Sequence, residues 1–262
     1  MQKTVNLFTG VMSQRRIMVH RGVSMYFTFS SFSLEQWLYD SVVLVNARKN
    51  LDLIVGSLSK HSQFFSWEKE TVFRFQSELE KCWAKLRVVD RFTSSEFTLC
   101  NTLLSGKGNC LGLTTVYIAI SEILNLPFRP VLYEGHMAIV LLGNNFPFYF
   151  DATRTNIPVC DKLAHKLKTD HHRILAMDEF AAVHLSNQAI FFARHGFMDD
   201  AIFLIDSALE IFPDYTAGWI NRAVVMKKLD NVKEMQRSLD KAKSLNPGIR
   251  YSKTIEQIEN NE

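Results

Sequence analysis

A chain of 262 residues with 47% hydrophobic and 22% charged residues has an ordinary globular composition, with room for one large domain or a core domain plus an appendage. A formal net charge of +3, its Lys and Arg scattered among acids from Glu35 onward, offers no basic face for nucleic acid. No apolar run approaches the length of a membrane span; residues 116–126 and 137–142 are broken by polar residues or stopped by Pro127 and Gly143.

Residues 1–33 carry Lys3, Arg15, Arg16 and Arg21 and no acid, amid Ser, Thr and Phe. An Arg-rich, acid-poor segment has the composition of a transit peptide, so a translocated or organelle-targeted protein is one reading. The plainer and preferred one is a loosely packed leader, or a start codon lying upstream of Met25. From residue 34 to about 90 the pattern is helical: Trp37, Val42 and Val45, then Leu51, Leu53, Ile54 and Leu58, then Phe73, Leu79, Trp83 and Leu86 recur at three- and four-residue steps. Twenty Phe residues suggest a bulky aromatic interior.

Gly106 and Gly108 mark residues 105–110 as a loop, which delivers the chain into an apolar helix from Cys110 to Leu124, stopped before Pro127. The texture then changes. Residues 128–134, 136–142 and 146–151 read as strands, the last two joined by a turn at Gly143-Asn144-Asn145. Several helices followed by three successive strands predict an α+β core, an antiparallel sheet packed on a helix.

From about Asp178 the chain is helical again, and it repeats. Shifted by 34 residues, Ile205 falls on Leu239, Asp206 on Asp240, Ala208 on Ala242, Pro213 on Pro247, and Gly196 on Asp230 at the turn between two helices. A helix–turn–helix unit of that period with small residues at its packing points matches the tetratricopeptide pattern. Two such repeats, below the three usually needed for independent stability, are expected to lean on the core. The expected organisation is a leader (1–33), a core (34–165), a linker (166–180), two repeats (181–250) and a polar tail (251–262).

The chemistry-bearing residues lie in the core. Cys110 opens a helix, where unpaired N–H groups and the positive end of the dipole favour a thiolate and can receive an oxyanion. The two glycines before it let the backbone approach closely and leave the sulfur accessible. His136 begins one strand and Asp151 ends the next, and a hairpin at ~3.3 Å per residue brings them side by side. The carboxylate then fixes the imidazole tautomer with the other nitrogen toward the thiol. Asn109 and Asn101 are candidates for an oxyanion-binding side chain.

These residues carry a family resemblance. Gly108-Asn109-Cys110 opening an apolar helix, Leu126-Pro127-Phe128-Arg129-Pro130, Gly135-His136-Met137-Ala138 and Phe150-Asp151-Ala152-Thr153 resemble the transglutaminase-like, papain-like cysteine superfamily. Over residues 34–250 the chain is most similar to the bacterial branch that joins such a core to C-terminal tetratricopeptide repeats. The resemblance implies Cys110 as nucleophile, His136 as base and Asp151 as orienting residue, with a papain/transglutaminase-like core and an all-α repeat array. It implies a bacterial, cytoplasmic protein acting on a protein or peptide substrate, with a partner protein on the repeats. That branch often lacks the Cys, so a catalytically silent scaffold is the alternative; this chain keeps all three residues. An aromatic commonly follows the His by two positions in active members, and here it is Ala138.

The remaining cysteines, Cys82, Cys100 and Cys160, form no C-x-x-C pair and read as free thiols in a reducing compartment. His165, His171 and His172 lie in a Lys-rich stretch with no Cys or carboxylate at ligand spacing, so neither a metal nor a cofactor is expected. Gly106-Lys107-Gly108 lacks the order of a phosphate-binding loop. Arg129 and Arg154 are expected on the solvated surface, with a substrate-carboxylate clamp as the alternative.

Overall fold

A computed structural model describes residues 41–60, 69–85, 97–133, 135–142, 147–153, 172–245 and 249–260. The leader 1–33, Trp37, the 143–145 turn, Arg154, Cys160, His165 and His171 lie outside them. The described residues form a mostly helical α/β protein with one small antiparallel sheet, and none of their helices is long and apolar enough to cross a membrane.

Helices α1 (Ser41–Ser59), α2 (Lys69–Lys85), α3 (Leu99–Ser105) and α4 (Cys110–Leu124) precede the sheet. In α1 the buried stripe is Ala47, Leu51, Ile54 and Leu58, at steps of four, three and four. Val42, Val45 and Leu53, which the spacing also offered as core, are 66%, 51% and 67% exposed. The reason is angular: at 100° per residue Val45 and Leu53 point to the side opposite Ala47 and Leu51.

Helix α4 is the centre of the core. Residues 111–121 are all buried, which is why the stretch is apolar all round rather than on one face. It begins where the Asn109 side chain accepts the Gly112 N–H at 3.0 Å, and it ends at Asn125 in the left-handed conformation.

The sheet has the order β3-β2-β1-β4, with β1 Phe128–Tyr133, β2 His136–Leu142, β3 Pro147–Phe150 and β4 His172–Ile174, all antiparallel. Alternation sorts its side chains. Phe128, Met137, Ile139, Leu141 and Phe150 face the main core, where Phe75 of α2 and Tyr117 of α4 join Phe128 and Phe150 in edge-to-face contacts 5.2–5.6 Å apart. Val131, Tyr133, Ala138 and Val140 cluster on the other face.

Five helices follow: α5 (Met177–Arg194), α6 (Met198–Ile211), α7 (Thr216–Lys228), α8 (Val232–Ser244) and α9 (Ile249–Glu259). Gly196, between α5 and α6, and Asp230, between α7 and α8, both take positive φ, 83° and 54°. Ala208 and Ala242 are both fully buried. The array is fixed to the core by His184 of α5, whose Nε2 lies 2.7 Å from the Thr115 hydroxyl of α4. Within it, the Arg222 guanidinium on α7 reaches Asp206, Glu234 and the Ser238 hydroxyl at 2.8–3.0 Å, tying α6 to α8.

Two expectations are corrected. The stretch 166–180 is not wholly a linker: His172–Ile174 is the fourth strand, with Val131 opposite Ile174, and α5 has begun by Met177. Nor are residues 251–262 a polar tail. Most of them form α9, where Ile255 and Ile258 are 1% and 8% exposed and pack on Ile220, Ala223, Leu239 and Ala242. Tyr251, Ile255 and Ile258 stand at steps of four and three, one face of a helix.

Candidate active site

Three segments converge at the open end of α4. Cys110 is the first residue of that helix and is partly exposed, whereas Cys82 and Cys100 are buried thiols in no disulfide. The loop that delivers it is held tightly. A Cβ on Gly108 would stand 2.8 Å from the Thr102 hydroxyl and 3.2 Å from the Leu113 nitrogen, so only glycine fits. In the first turn, the Gly112 N–H goes to the Asn109 side chain and the Leu113 N–H to the Asn109 carbonyl. The N–H groups of Cys110 and Leu111 come before these, where helix geometry supplies no intrahelical acceptor.

Gly135, at φ 75°, turns the chain into β2, and His136 projects from the first position of the strand opposite Tyr133. Its Nε2 lies 2.9 Å from Asp151 Oδ2. The register explains the meeting: Ile139 pairs with Phe150, so Asp151 comes level with Ala138, two residues from His136 and on its side of the pleat. Asp151 is itself fixed, since its Oδ1 accepts the Thr153 N–H at 2.9 Å and the Thr153 hydroxyl at 2.6 Å. With Nε2 held by the carboxylate, Nδ1 is the nitrogen left for the sulfur, and His136 and Cys110 are close enough to shift each other's ionisation. The Met137 backbone N–H also favours the ionised form of the thiol.

The electrostatics follow from this chain of bonds. Burial opposes ionisation of Cys110, and the Asp151 charge adds to that. The His136 hydrogen bond and charge, with the Met137 N–H, outweigh both and leave the thiol below its ordinary pKa. Burial likewise disfavours the imidazolium, but the hydrogen bonds and charges of Asp151 and Cys110 raise His136 to about 9. Asp151 is buried too, yet His136 and the two Thr153 bonds hold it below the usual carboxylate value. All three directions are those of a thiolate–imidazolium pair backed by a carboxylate.

The structure thus brings Cys110, His136 and Asp151 together. Of the oxyanion candidates, Asn109 is beside Cys110 but spends its side-chain oxygen on capping the helix; Asn101 is on α3, where its own N–H and carbonyl engage Thr98 and Ser105. Arg129 is exposed, donates to the Phe128 carbonyl and pairs with Val140, four residues along β1 from Tyr133 and so ~13 Å from the His136 end. His172 is exposed against Tyr149, and no group of His, Cys, Asp and Glu among the described residues is arranged to hold a metal ion. Sequence reasoning did not single out Thr153, which aims the carboxylate, or Tyr133, whose ring stands edge-on to His136 at 5.1 Å. The Asp-x-Thr spacing was the available cue for the first; the second depends on strand pairing.

Neither a family model, nor a curated protein, nor a solved structure matches the chain.

Proposed function

We propose that the protein is a thiol-dependent acyl-transfer enzyme acting on amide bonds of a protein or peptide. One arrangement carries this reading: Cys110 at the partly exposed N-terminus of a buried helix, beside a His136 whose Nε2 is hydrogen-bonded to Asp151 and which lowers the pKa of the thiol. In the reaction, the Cys110 thiolate attacks an amide carbonyl and forms the C–S bond. The oxyanion sits at the Cys110 and Leu111 N–H groups. The imidazolium of His136 gives its proton to the departing nitrogen, the C–N bond breaks, and a thioester remains. Water or an amine then attacks that thioester, His136 removes its proton, and the thiolate departs. Water gives peptide cleavage or deamidation of Gln and Asn; an amine gives transamidation.

The same reading takes the core as papain/transglutaminase-like, supported by a nucleophile-bearing helix against an antiparallel sheet that supplies base and carboxylate. It takes the array as two tetratricopeptide-type repeats that bind a partner protein. Gly196 and Asp230, one period apart and both left-handed, support that, as do the buried Ala208 and Ala242. A reducing, cytoplasmic setting goes with it, supported by Cys82, Cys100 and Cys110 being thiols rather than disulfide-bonded.

Iodoacetamide labelling at pH 6, mapped by mass spectrometry, tests the reading. A free thiol of pKa ~8.5 is only about 0.3% ionised there. Cys110 is expected to react at least roughly tenfold faster than glutathione, the gain tempered by the lower nucleophilicity of a low-pKa thiolate. His136→Ala is expected to remove the advantage. Slow labelling of Cys82 and Cys100 decides nothing, since burial alone protects them. A Cys110 rate equal to that of glutathione, and unchanged by His136→Ala, would leave a silent scaffold.

A further inference from the structure

The C-terminal helix α9 touches the candidate site. Gly135, the residue before His136, is approached by Tyr251: a Cβ built on the glycine would lie 3.1 Å from the phenol oxygen and 3.3 and 3.4 Å from two ring carbons. The ring therefore lies against the bare Cα of a residue already committed by its φ of 75° to the conformation that glycine favours. Helix α9 has its own anchorage. Ile255 and Ile258 are buried against α7 and α8, the Lys227 ammonium donates to the Ile258 carbonyl at 3.0 Å, and Lys243 pairs with Glu259 at 2.6 Å. Tyr215, immediately before α7, is buried and stacked on Phe212 at 5.3 Å. Its phenol is pushed well above the ordinary value by burial, and further by the neighbouring Tyr251 and Cys110.

We propose that Tyr251 is a positioning residue for His136: its ring seats the Gly135 turn from which the imidazole projects, so that the helical array completes the thiol site. The proposal deepens the acyl-transfer reading and rests on it for the use to which the imidazole is put. The array would then have a second task besides holding a partner. Without the ring, Gly135 regains freedom at the residue where β2 begins, and the imidazole loses its fixed direction between Asp151 and sulfur. The titratable groups at this junction, among the described residues, are Cys110 on α4, His136 on β2, Asp151 after β3, Tyr133 on β1, Tyr215 before α7 and Tyr251 on α9.

Two readouts on the full chain test this. The His136 ring is titrated by NMR, with its resonance assigned through His136→Asn, and Cys110 alkylation by iodoacetamide is followed against pH. Wild type is expected to titrate at about 9, and Tyr251→Ala to fall at least about one unit toward 6.5, with alkylation at pH 6 slowed roughly tenfold. Tyr251→Phe, which keeps the ring, is expected to match wild type in both. Tyr251→Leu preserves apolar bulk should the alanine variant fail to fold, and is expected to shift in the same direction. Ile258→Ala loosens α9 without touching Gly135 and is expected to shift either readout far less. A folded Tyr251→Ala or Tyr251→Leu protein with wild-type titration and alkylation overturns the proposal, as does an Ile258→Ala shift as large as that of Tyr251→Ala. Should wild-type Cys110 alkylate no faster than glutathione while His136 still titrates near 9 and Tyr251→Ala lowers it, the enzyme reading fails and the positioning role stands.

Discussion

Asp151 accepts one bond from the imidazole and two from Thr153, and this concentration on one buried carboxylate gives the site a definite pH behaviour. Its folded pKa lies below the unfolded one, so its contribution to stability is complete above the ordinary carboxylate value and is lost as pH falls through the folded value. His136 runs the other way. Its folded pKa is raised to about 9, so its contribution is complete below 6.5 and disappears as pH climbs through 9. Asp151→Asn removes the charge that supports both. It is expected to cost about 1–3 kcal/mol at pH 6 in urea unfolding, a difference that shrinks above pH 9, and to move the alkaline limb of Cys110 reactivity to lower pH. At this scale much was readable from the chain. Cys110 sits after a glycine loop, and His136 and Asp151 sit at strand ends around a turn, all properties of short stretches. Tyr133 was hidden because its closeness to His136 comes from β1–β2 register, which no local window contains.

Between elements, the joint that matters is the one from α4 to α5. Thr115 lies five residues after Cys110 on the same helix, and its bond to His184 holds the array against the helix that carries the thiol. His184 is fully buried, and burial depresses its pKa to about 3. The unfolded chain therefore takes up a proton at this histidine near pH 6.5 while the folded chain does not, and stability must fall as pH drops from 6.5 toward 3. His184→Gln retains a polar partner for Thr115 but does not titrate. Thermal melts between pH 7 and 4 are expected to show a shallower acid slope for this variant than for wild type. Strand β4 shows why some elements escaped the sequence. His172, Arg173 and Ile174 are all exposed, three residues carry no periodicity, and the partner β1 is what makes them a strand. Helix α9 escaped for another reason. Its apolar stripe of Tyr251, Ile255 and Ile258 is readable, but it sits among Lys, Glu, Gln and Asn, and the mean composition masked it.

The described part of the molecule packs its core and its array against each other. Its largest apolar cluster runs from Ala47 and Leu51 on α1 through α4 and the sheet to Ala208 on α6 and Val225 on α7. Core and array therefore share buried surface, and neither hides its apolar face alone. Urea unfolding is expected to give one transition, coincident by tryptophan fluorescence and far-UV circular dichroism. Two separated transitions would show that the array unfolds on its own. The open end of α4 has a last consequence. Its sulfur meets His136 where the hairpin docks, and the hairpin begins at a glycine pressed by Tyr251 of α9. If Tyr251 seats the hairpin as proposed, a copy in which α9 has come away from this seam is expected to carry an ordinary, unreactive thiol and to go quiet rather than attack whatever is near.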